Sequence, residues 1–120
     1  MKTVKDVKHI VIAGAGTMGS SMGETFAKYG YDVTLYDVFP EALKKAENLI
    51  RLNQETEVAE HIVTAEESAA LLKRISYSED KSCFQRADMV VEAILEKLDV
   101  KHSFWAEISA LVPEDAILAS

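Results

Sequence analysis

Cysteine is nearly absent from this sequence. The single Cys83 excludes a disulfide within the chain and fits a reducing compartment, so we expect a cytoplasmic protein. Its neighbour is Phe84, and nothing nearby would lower the pKa of a thiol. We therefore interpret Cys83 as a small core side chain and not as a nucleophile.

An excess of basic residues is also lacking. The sequence has 13 lysines and arginines against 20 aspartates and glutamates, which gives a formal net charge of −7. Binding of nucleic acid or of an anionic membrane surface requires a basic face. The charge balance therefore argues against both kinds of partner.

Long apolar runs are missing too. No run approaches the ~20 residues that a membrane-spanning helix needs, and the stretch 1–8 has no apolar core of a signal peptide. The 120 residues, 48% hydrophobic and 28% charged, have the composition of one globular domain. No second ligand stands at metal-binding spacing from His61, so we expect a surface histidine and no metal site.

A glycine-rich turn follows the first apolar run. Residues 10–13 (Ile-Val-Ile-Ala) predict a buried strand, and the next six residues form the pattern G-x-G-x-x-G. In this pattern Gly14 allows a tight turn, Gly16 leaves room for a pyrophosphate, and Gly19 lets the following helix lie close to the strand. The helix start then presents peptide N–H groups to phosphate. Alone, the pattern is weak support for a dinucleotide site.

The helix after this turn carries an apolar stripe and is predicted to end at Gly30. We interpret the stripe as core. Its members lie at i, i+4, i+8 and i+11: Met18, Met22, Phe26 and Tyr29.

A carboxylate ends the second predicted strand, which spans residues 31–37. Asp37 lies 18 residues after Gly19, close to the ~20 expected for the acid that binds the adenosine ribose of a dinucleotide. The alternative is a simple turn or cap residue. In this context we favour the ribose interpretation. The next residues are Val38, Phe39 and Pro40, and no cation there could receive a 2′-phosphate, which favours NAD over NADP.

The stretch from Pro40 to about Arg74 is helical in pattern and too long for a simple crossover. We predict an inserted helical pair, the second helix beginning at a Thr64–Glu67 capping box. The predicted inner positions are Ala42, Leu43, Ala46, Leu49, Ile50 and Asn53 in the first helix and Ala69, Leu72 and Ile75 in the second. We interpret the acidic run from Glu55 to Glu67 as a solvent-exposed face of the pair.

Three further strands and one helix complete the predicted fold. The strands are 75–78, 87–94 and 116–119, a polar connector with one helical turn fills 79–86, and a helix spans 98–112. Alternating strands and helices predict an α/β fold with a doubly wound parallel sheet in the order 3-2-1-4-5. A ligand would bind where the order reverses, at the carboxyl ends of strands 1 and 4.

The whole chain resembles the N-terminal NAD-binding, Rossmann-type domain of L-3-hydroxyacyl-CoA dehydrogenases. The residues that carry the resemblance are 12–19 (IAGAGTMG), 30–37 (GYDVTLYD), the inserted helical pair, 90–96 (VVEAILE) and 115–120 (DAILAS). The resemblance implies oxidation of an L-3-hydroxyacyl-CoA to the 3-ketoacyl form by hydride transfer to NAD.

The resemblance also implies binding residues. Gly14, Ala15, Gly16, Thr17, Met18 and Gly19 would hold the pyrophosphate, Asp37 the adenosine ribose, and Glu96 and Lys101 would line the nicotinamide side. From the residues alone, we would interpret Glu96 and Lys101 as surface charges or as a near-pair, five residues apart, at a helix start; with the resemblance, we favour a role in cofactor binding. None of the histidines, His9, His61 and His102, matches the family's catalytic base, so we assign no catalytic residue.

Two departures from the family limit these expectations. The family continues after this point with Asn-Thr-Ser-Ser and, later, the catalytic histidine and a helical domain, so we expect a domain that binds NAD without turnover. We also expect self-association through the strand edge and helix faces that a further domain would cover. The predicted helical pair is acidic, a poor host for CoA phosphates, so another 3-hydroxy acid is an alternative substrate. A stand-alone sensing or scaffolding module and a domain with a non-functional site remain alternatives.

Overall fold

A parallel β-sheet organises the computed structural model, which describes residues 7–93, 110–113 and 116–119. Within these residues the elements are β1 (His9–Ala13), α1 (Thr17–Lys28), β2 (Asp32–Tyr36), α2 (Pro40–Ala59), α3 (Ala65–Lys73), β3 (Ile75–Ser78), a 3-10 helix (Lys81–Arg86), β4 (Met89–Glu92) and β5 (Ile117–Ala119). The strand order in this part of the chain is β3-β2-β1-β4-β5. The predicted doubly wound order and the helical pair after β2 are thus confirmed.

The central strand β1 is buried on both faces, as its continuous apolar run predicts. Residues 10–13 are at most 1% exposed. One face packs in a cluster with α1, α2 and α3 through Ile10 and Ile12. The other face packs through Val11 and Ala13 against the 3-10 helix, where Phe84 is fully buried. Cys83 lies in this second cluster, which confirms its interpretation as a core side chain.

The predicted stripe on α1 is wrong at both ends. Met18 is 69% exposed and Tyr29 76% exposed, whereas Met22 and Phe26 pack on the core as predicted. The stripe spans the whole helix, but Met18 lies in its first turn and Tyr29 just beyond its last residue. The buried positions of α1 are small residues: Gly19, Ser20, Gly23 and Ala27.

The inner face of the helical pair is offset from the predicted one. Gln54 is 2% exposed while Asn53 is exposed, and Ser68 and Leu71 are buried while Ala69 is exposed. The predictions for Asn53 and Ala69 are therefore wrong. Leu49 is also partly exposed, at 36%. Ile75 is buried as predicted and begins β3, which confirms the predicted strand 75–78; it is not a residue of α3, which ends at Lys73.

Gln54 is buried because it joins the three helices. Its Nε2 donates to Oε2 of Glu24 in α1 (2.6 Å) and to Oε2 of Glu57 in α2 (2.7 Å). Its Oε1 accepts a hydrogen bond from the Ser68 hydroxyl of α3 (2.9 Å). An amide can donate and accept at once, so a polar residue replaces an apolar one on this face. These bonds hold the helical pair on α1.

The capping box predicted for α3 is present. The Thr64 hydroxyl accepts from the Glu67 N–H, and the Glu67 carboxylate accepts from the Thr64 N–H. The predicted helix 98–112 lies largely outside the described residues. No described helix is long and apolar enough to cross a membrane.

Candidate functional site

The carboxyl ends of β1, β2 and β4 meet beside the glycine turn. In the strand register Ala13 lies opposite Tyr36 on one side and opposite Glu92 on the other. The turn 14–16 leaves β1 at this point and enters α1. This is the reversal of strand order where doubly wound sheets bind their ligands.

Gly14 in the turn and Gly19 in the first turn of α1 are both required by the geometry at this edge. Gly14 has φ 111°, which side chains rarely adopt, and its N–H donates to the Tyr36 carbonyl at 2.7 Å. A Cβ on Gly19 would lie 1.9 Å from the Gly14 carbonyl oxygen. The sequence-based roles of both glycines, a tight turn and close approach of the helix, agree with this geometry.

Gly16 differs because the space beside it is open. A Cβ built on this residue would meet nothing within 4 Å. Gly16 is the N-cap of α1, and no side chain caps the helix there. Gly16, Thr17 and Met18 are exposed, while Gly14 and Ala15 are buried. The first N–H groups of a helix have no partner inside it, so this edge offers donors to an anion.

Asp37 is brought directly to the glycine turn. Its Oδ2 accepts a hydrogen bond from the Ala15 N–H at 3.0 Å, and its Oδ1 accepts one from the Phe39 N–H at 3.0 Å. The second bond is the turn contact of the alternative interpretation, and the first places the carboxylate at the predicted ligand site. Each carboxylate oxygen can accept a further bond, so both interpretations are compatible with the same side chain.

Ala15 is held on both sides of its backbone. Its N–H donates to Asp37, and its carbonyl accepts from the Ser20 hydroxyl at 3.3 Å. Ser20 is 1% exposed and was given no role by the sequence analysis. A serine one residue past the last glycine was the available signal.

Large apolar side chains are exposed on the elements that form this edge. Met18 in the first turn of α1, Val38 and Phe39 are 69%, 58% and 64% exposed. These three exposed apolar side chains therefore lie on the same edge as the exposed start of α1 and the Asp37 carboxylate.

Glu92 is a buried carboxylate at the end of β4, 7% exposed. We predicted no role for it, although an acid in an otherwise apolar strand is a signal visible in the sequence. The predicted nicotinamide-side residues Glu96 and Lys101, and His102, lie outside the described residues.

The described histidines lie away from this edge. His9 begins β1, at the opposite end of the sheet, and its Nε2 lies 3.0 Å from the Thr34 hydroxyl. Burial lowers the pKa of His9, an effect that the Asp32 and Asp88 charges oppose and Arg86 reinforces. His61 is exposed in the turn after α2, with φ 61°. Across 7–93, 110–113 and 116–119, no three His, Cys, Asp or Glu side chains form a metal-binding group.

Comparisons with known proteins agree with this geometry. A family model described as 3-hydroxyacyl-CoA dehydrogenase, NAD binding domain, matches residues 9–120. The chain is 33% identical over 115 residues to the 3-hydroxyadipyl-CoA dehydrogenase of Escherichia coli K12, covering 96% of this chain and 24% of that protein. It is also 33% identical over 115 residues to a probable 3-hydroxybutyryl-CoA dehydrogenase of Bacillus subtilis, covering 96% and 40%.

Solved structures give the same result. The crystal structure of 3-hydroxybutyryl-CoA dehydrogenase from Escherichia coli K12 matches with a TM-score of 0.91 and 34% identity, over 93% of this chain and 24% of that one. FadB2 of M. tuberculosis matches with a TM-score of 0.90 and 28% identity, over 94% and 40%. The chain spans between 24% and 40% of the length of the two curated relatives described above. It belongs to the NAD-binding domain family of 3-hydroxyacyl-CoA dehydrogenases.

Proposed function

We propose that this chain binds NAD(H) at the glycine turn and serves as the cofactor domain of an enzyme that oxidises L-3-hydroxyacyl-CoA to 3-ketoacyl-CoA. The observation that carries the proposal is the juxtaposition of the open space at Gly16 with the Asp37 carboxylate, 3.0 Å from the Ala15 nitrogen. An anion-receiving helix start and a ribose acceptor then belong to one site.

The described residues fit the parts of the dinucleotide. The N–H groups of Thr17 and Met18 donate to the pyrophosphate, and the absent Cβ of Gly16 leaves room for it. Asp37 accepts hydrogen bonds from the adenosine ribose hydroxyls, and the exposed Val38 and Phe39 cover the adenine. Gly14, Ala15 and Gly19 shape the turn, and the family resemblance adds Glu96 and Lys101 on the nicotinamide side.

The chain's own residues bind and orient the cofactor, while the chemistry is completed elsewhere. Bound NAD supplies the hydride acceptor. The substrate hydroxyl must lose its proton to a base as the hydride leaves. His9 lies at the opposite end of the sheet, and His61 is exposed in a turn. Neither of these two described histidines is placed to act as the base, and His102 does not match the family's catalytic position, so we expect this chain to bind NADH without turnover.

The cofactor proposal is tested by calorimetric titration of the chain with NADH and NADPH. We expect saturable binding of NADH at one site, weaker binding of NADPH because Asp37 repels a 2′-phosphate, and at least a tenfold loss of NADH affinity in Asp37→Ala. Equal NADH affinities of wild type and Asp37→Ala would remove Asp37 from the site. Oxidation of a 3-hydroxyacyl-CoA by this chain alone would contradict the expected binding without turnover.

The acidic helical pair favours a second candidate for the substrate. Around the buried Gln54, the surface carries Glu55, Glu57 and Glu60, which repel the phosphates of CoA. A 3-hydroxy acid without a CoA carrier fits this surface better. Comparing turnover of the full-length enzyme on a 3-hydroxyacyl-CoA and on the free acid decides between the two.

We further propose that the chain self-associates through β5 and resides in the cytoplasm. In the described part of the sheet, β5 pairs with β4 on one side only, and open edges tend to pair. Light scattering after size exclusion should give a mass above that of one chain. A monomer at high concentration would refute the association.

The proposed cytoplasmic location rests on the single buried Cys83, which supports a reducing compartment. Fluorescence of the tagged protein in cells checks the location.

A further inference from the structure

The backbone of Ala15 is bound by side chains from two different elements. Asp37, just after β2, accepts from its N–H at 3.0 Å, and Ser20, in α1, donates to its carbonyl at 3.3 Å. Main-chain bonds hold the residues on either side: Gly14 N–H to the Tyr36 carbonyl at 2.7 Å, and Ser20 N–H to the Gly16 carbonyl at 2.8 Å. The turn is therefore held by four hydrogen bonds within the chain.

Ser20 is the unexpected member of this arrangement. It is 1% exposed and lies in the first turn of α1. Alanine has a higher helix propensity and the same small size, so propensity alone does not favour serine. A buried hydroxyl requires a hydrogen-bond partner, and here the partner is the Ala15 carbonyl.

We propose that Ser20 is a positioning residue for the dinucleotide, which acts with Asp37 by clamping the Ala15 backbone. This inference rests on the proposed NAD site. Because the Ala15 N–H is already bound to Asp37, the N–H groups of Thr17 and Met18 bind the pyrophosphate. The clamp sets their direction before the ligand arrives, and a preformed site loses less conformational entropy on binding.

The test compares Ser20→Ala with Thr25→Val. Thr25 also donates its hydroxyl to a backbone carbonyl of α1, that of Ser21 at 2.9 Å, but it lies a turn further from the glycine turn. By calorimetry at a temperature where both variants are folded, we expect Ser20→Ala to weaken NADH binding about 3- to 10-fold. The affinity of Thr25→Val should stay within about twofold of wild type.

Amide hydrogen exchange tests the clamp without any cofactor. The exchange rate of the Ala15 N–H is measured relative to that of Val11, a central-strand amide that reports global unfolding. Ser20→Ala should raise this ratio several-fold, and Thr25→Val should leave it unchanged. Because Ser20 and Asp37 both act on Ala15, adding Ser20→Ala to the Asp37→Ala variant should raise the exchange ratio little further.

The outcomes separate the clamp from the proposed function. A Ser20→Ala variant with a lower Tm but wild-type NADH affinity and a wild-type exchange ratio would overturn the positioning role. If wild type binds no NADH, the proposed function fails and the positioning role fails with it. A raised exchange ratio would then still establish the clamp as a purely structural device.

Discussion

Three glycines of α1 and the turn before it should respond differently to substitution by alanine. A Cβ at position 19 would lie 1.9 Å from the Gly14 carbonyl oxygen and 3.0 Å from the Gly14 carbonyl carbon. Both are backbone atoms of a hydrogen-bonded turn, so helix and turn must separate by about 1 Å. Overpacking costs about 1–3 kcal/mol when side chains can adjust, and here the backbone must move. We expect Gly19→Ala to lose about 3 kcal/mol, a fall in Tm of about 10 °C or more.

Gly16→Ala should lower NADH affinity with little change in stability. Its φ of −71° suits alanine, and its Cβ meets nothing within 4 Å, so stability should change by less than about 1 kcal/mol. The new methyl would stand where the pyrophosphate is proposed to bind. We therefore expect at least a tenfold loss of NADH affinity.

Gly23→Ala is the matched control. Its Cβ would lie 3.0 Å from the Leu35 Cδ2, so this fully buried side chain must shift by a few tenths of an ångström, with no backbone atom among the nearest contacts. The gain in helix propensity, about 1 kcal/mol, offsets that adjustment, so both stability and NADH affinity should stay near wild type.

Thermal unfolding by circular dichroism and NADH titration measure the two properties of this series. Wild-type stability of Gly19→Ala would refute the close-packing argument. Wild-type NADH affinity of Gly16→Ala would refute the placement of the pyrophosphate.

Two further predictions concern stability away from the site. Gln54→Ala should lower the free energy of unfolding in urea by about 2–3 kcal/mol, because two carboxylates and a hydroxyl lose a buried partner. The control Asn53→Ala removes an exposed hydrogen bond to Glu24 and should cost under about 1 kcal/mol. Equal losses in the two variants would contradict the role of Gln54. His9 has a pKa lowered by burial from 6.5, so the unfolded chain binds the proton first as pH falls. Stability should decrease as pH falls below 6.5 toward the folded-state pKa, and less so in His9→Gln. If the free energy of unfolding changes by the same amount in both proteins between pH 7 and pH 5, His9 does not contribute to the pH dependence of stability.

Features set by local sequence could be predicted. The alternation of strands and helices predicted the strand order, which the sheet confirms. The apolar run before Gly14 and the spacing of the three glycines predicted the turn between β1 and α1. The Thr64 capping box was equally readable, because its two partners lie three residues apart.

Features set by tertiary contact could not be predicted. Met18 fits the apolar stripe of α1 but lies in its exposed first turn. Gln54 is polar yet buried because its side chain forms hydrogen bonds with Glu24 and Ser68. Both partners lie on other helices, distant from Gln54 in sequence. The bonds from Asp37 and Ser20 to Ala15 depend on how β2 and α1 meet the turn, which periodicity alone does not encode.

The proposed NAD site is tested most directly by calorimetric titration of this chain with NADH and, at the same salt concentration, with NADPH. We expect one saturable NADH site and clearly weaker NADPH binding, as the proposed site requires. Absence of NADH binding by the folded chain, or equal affinity for both dinucleotides, would contradict it.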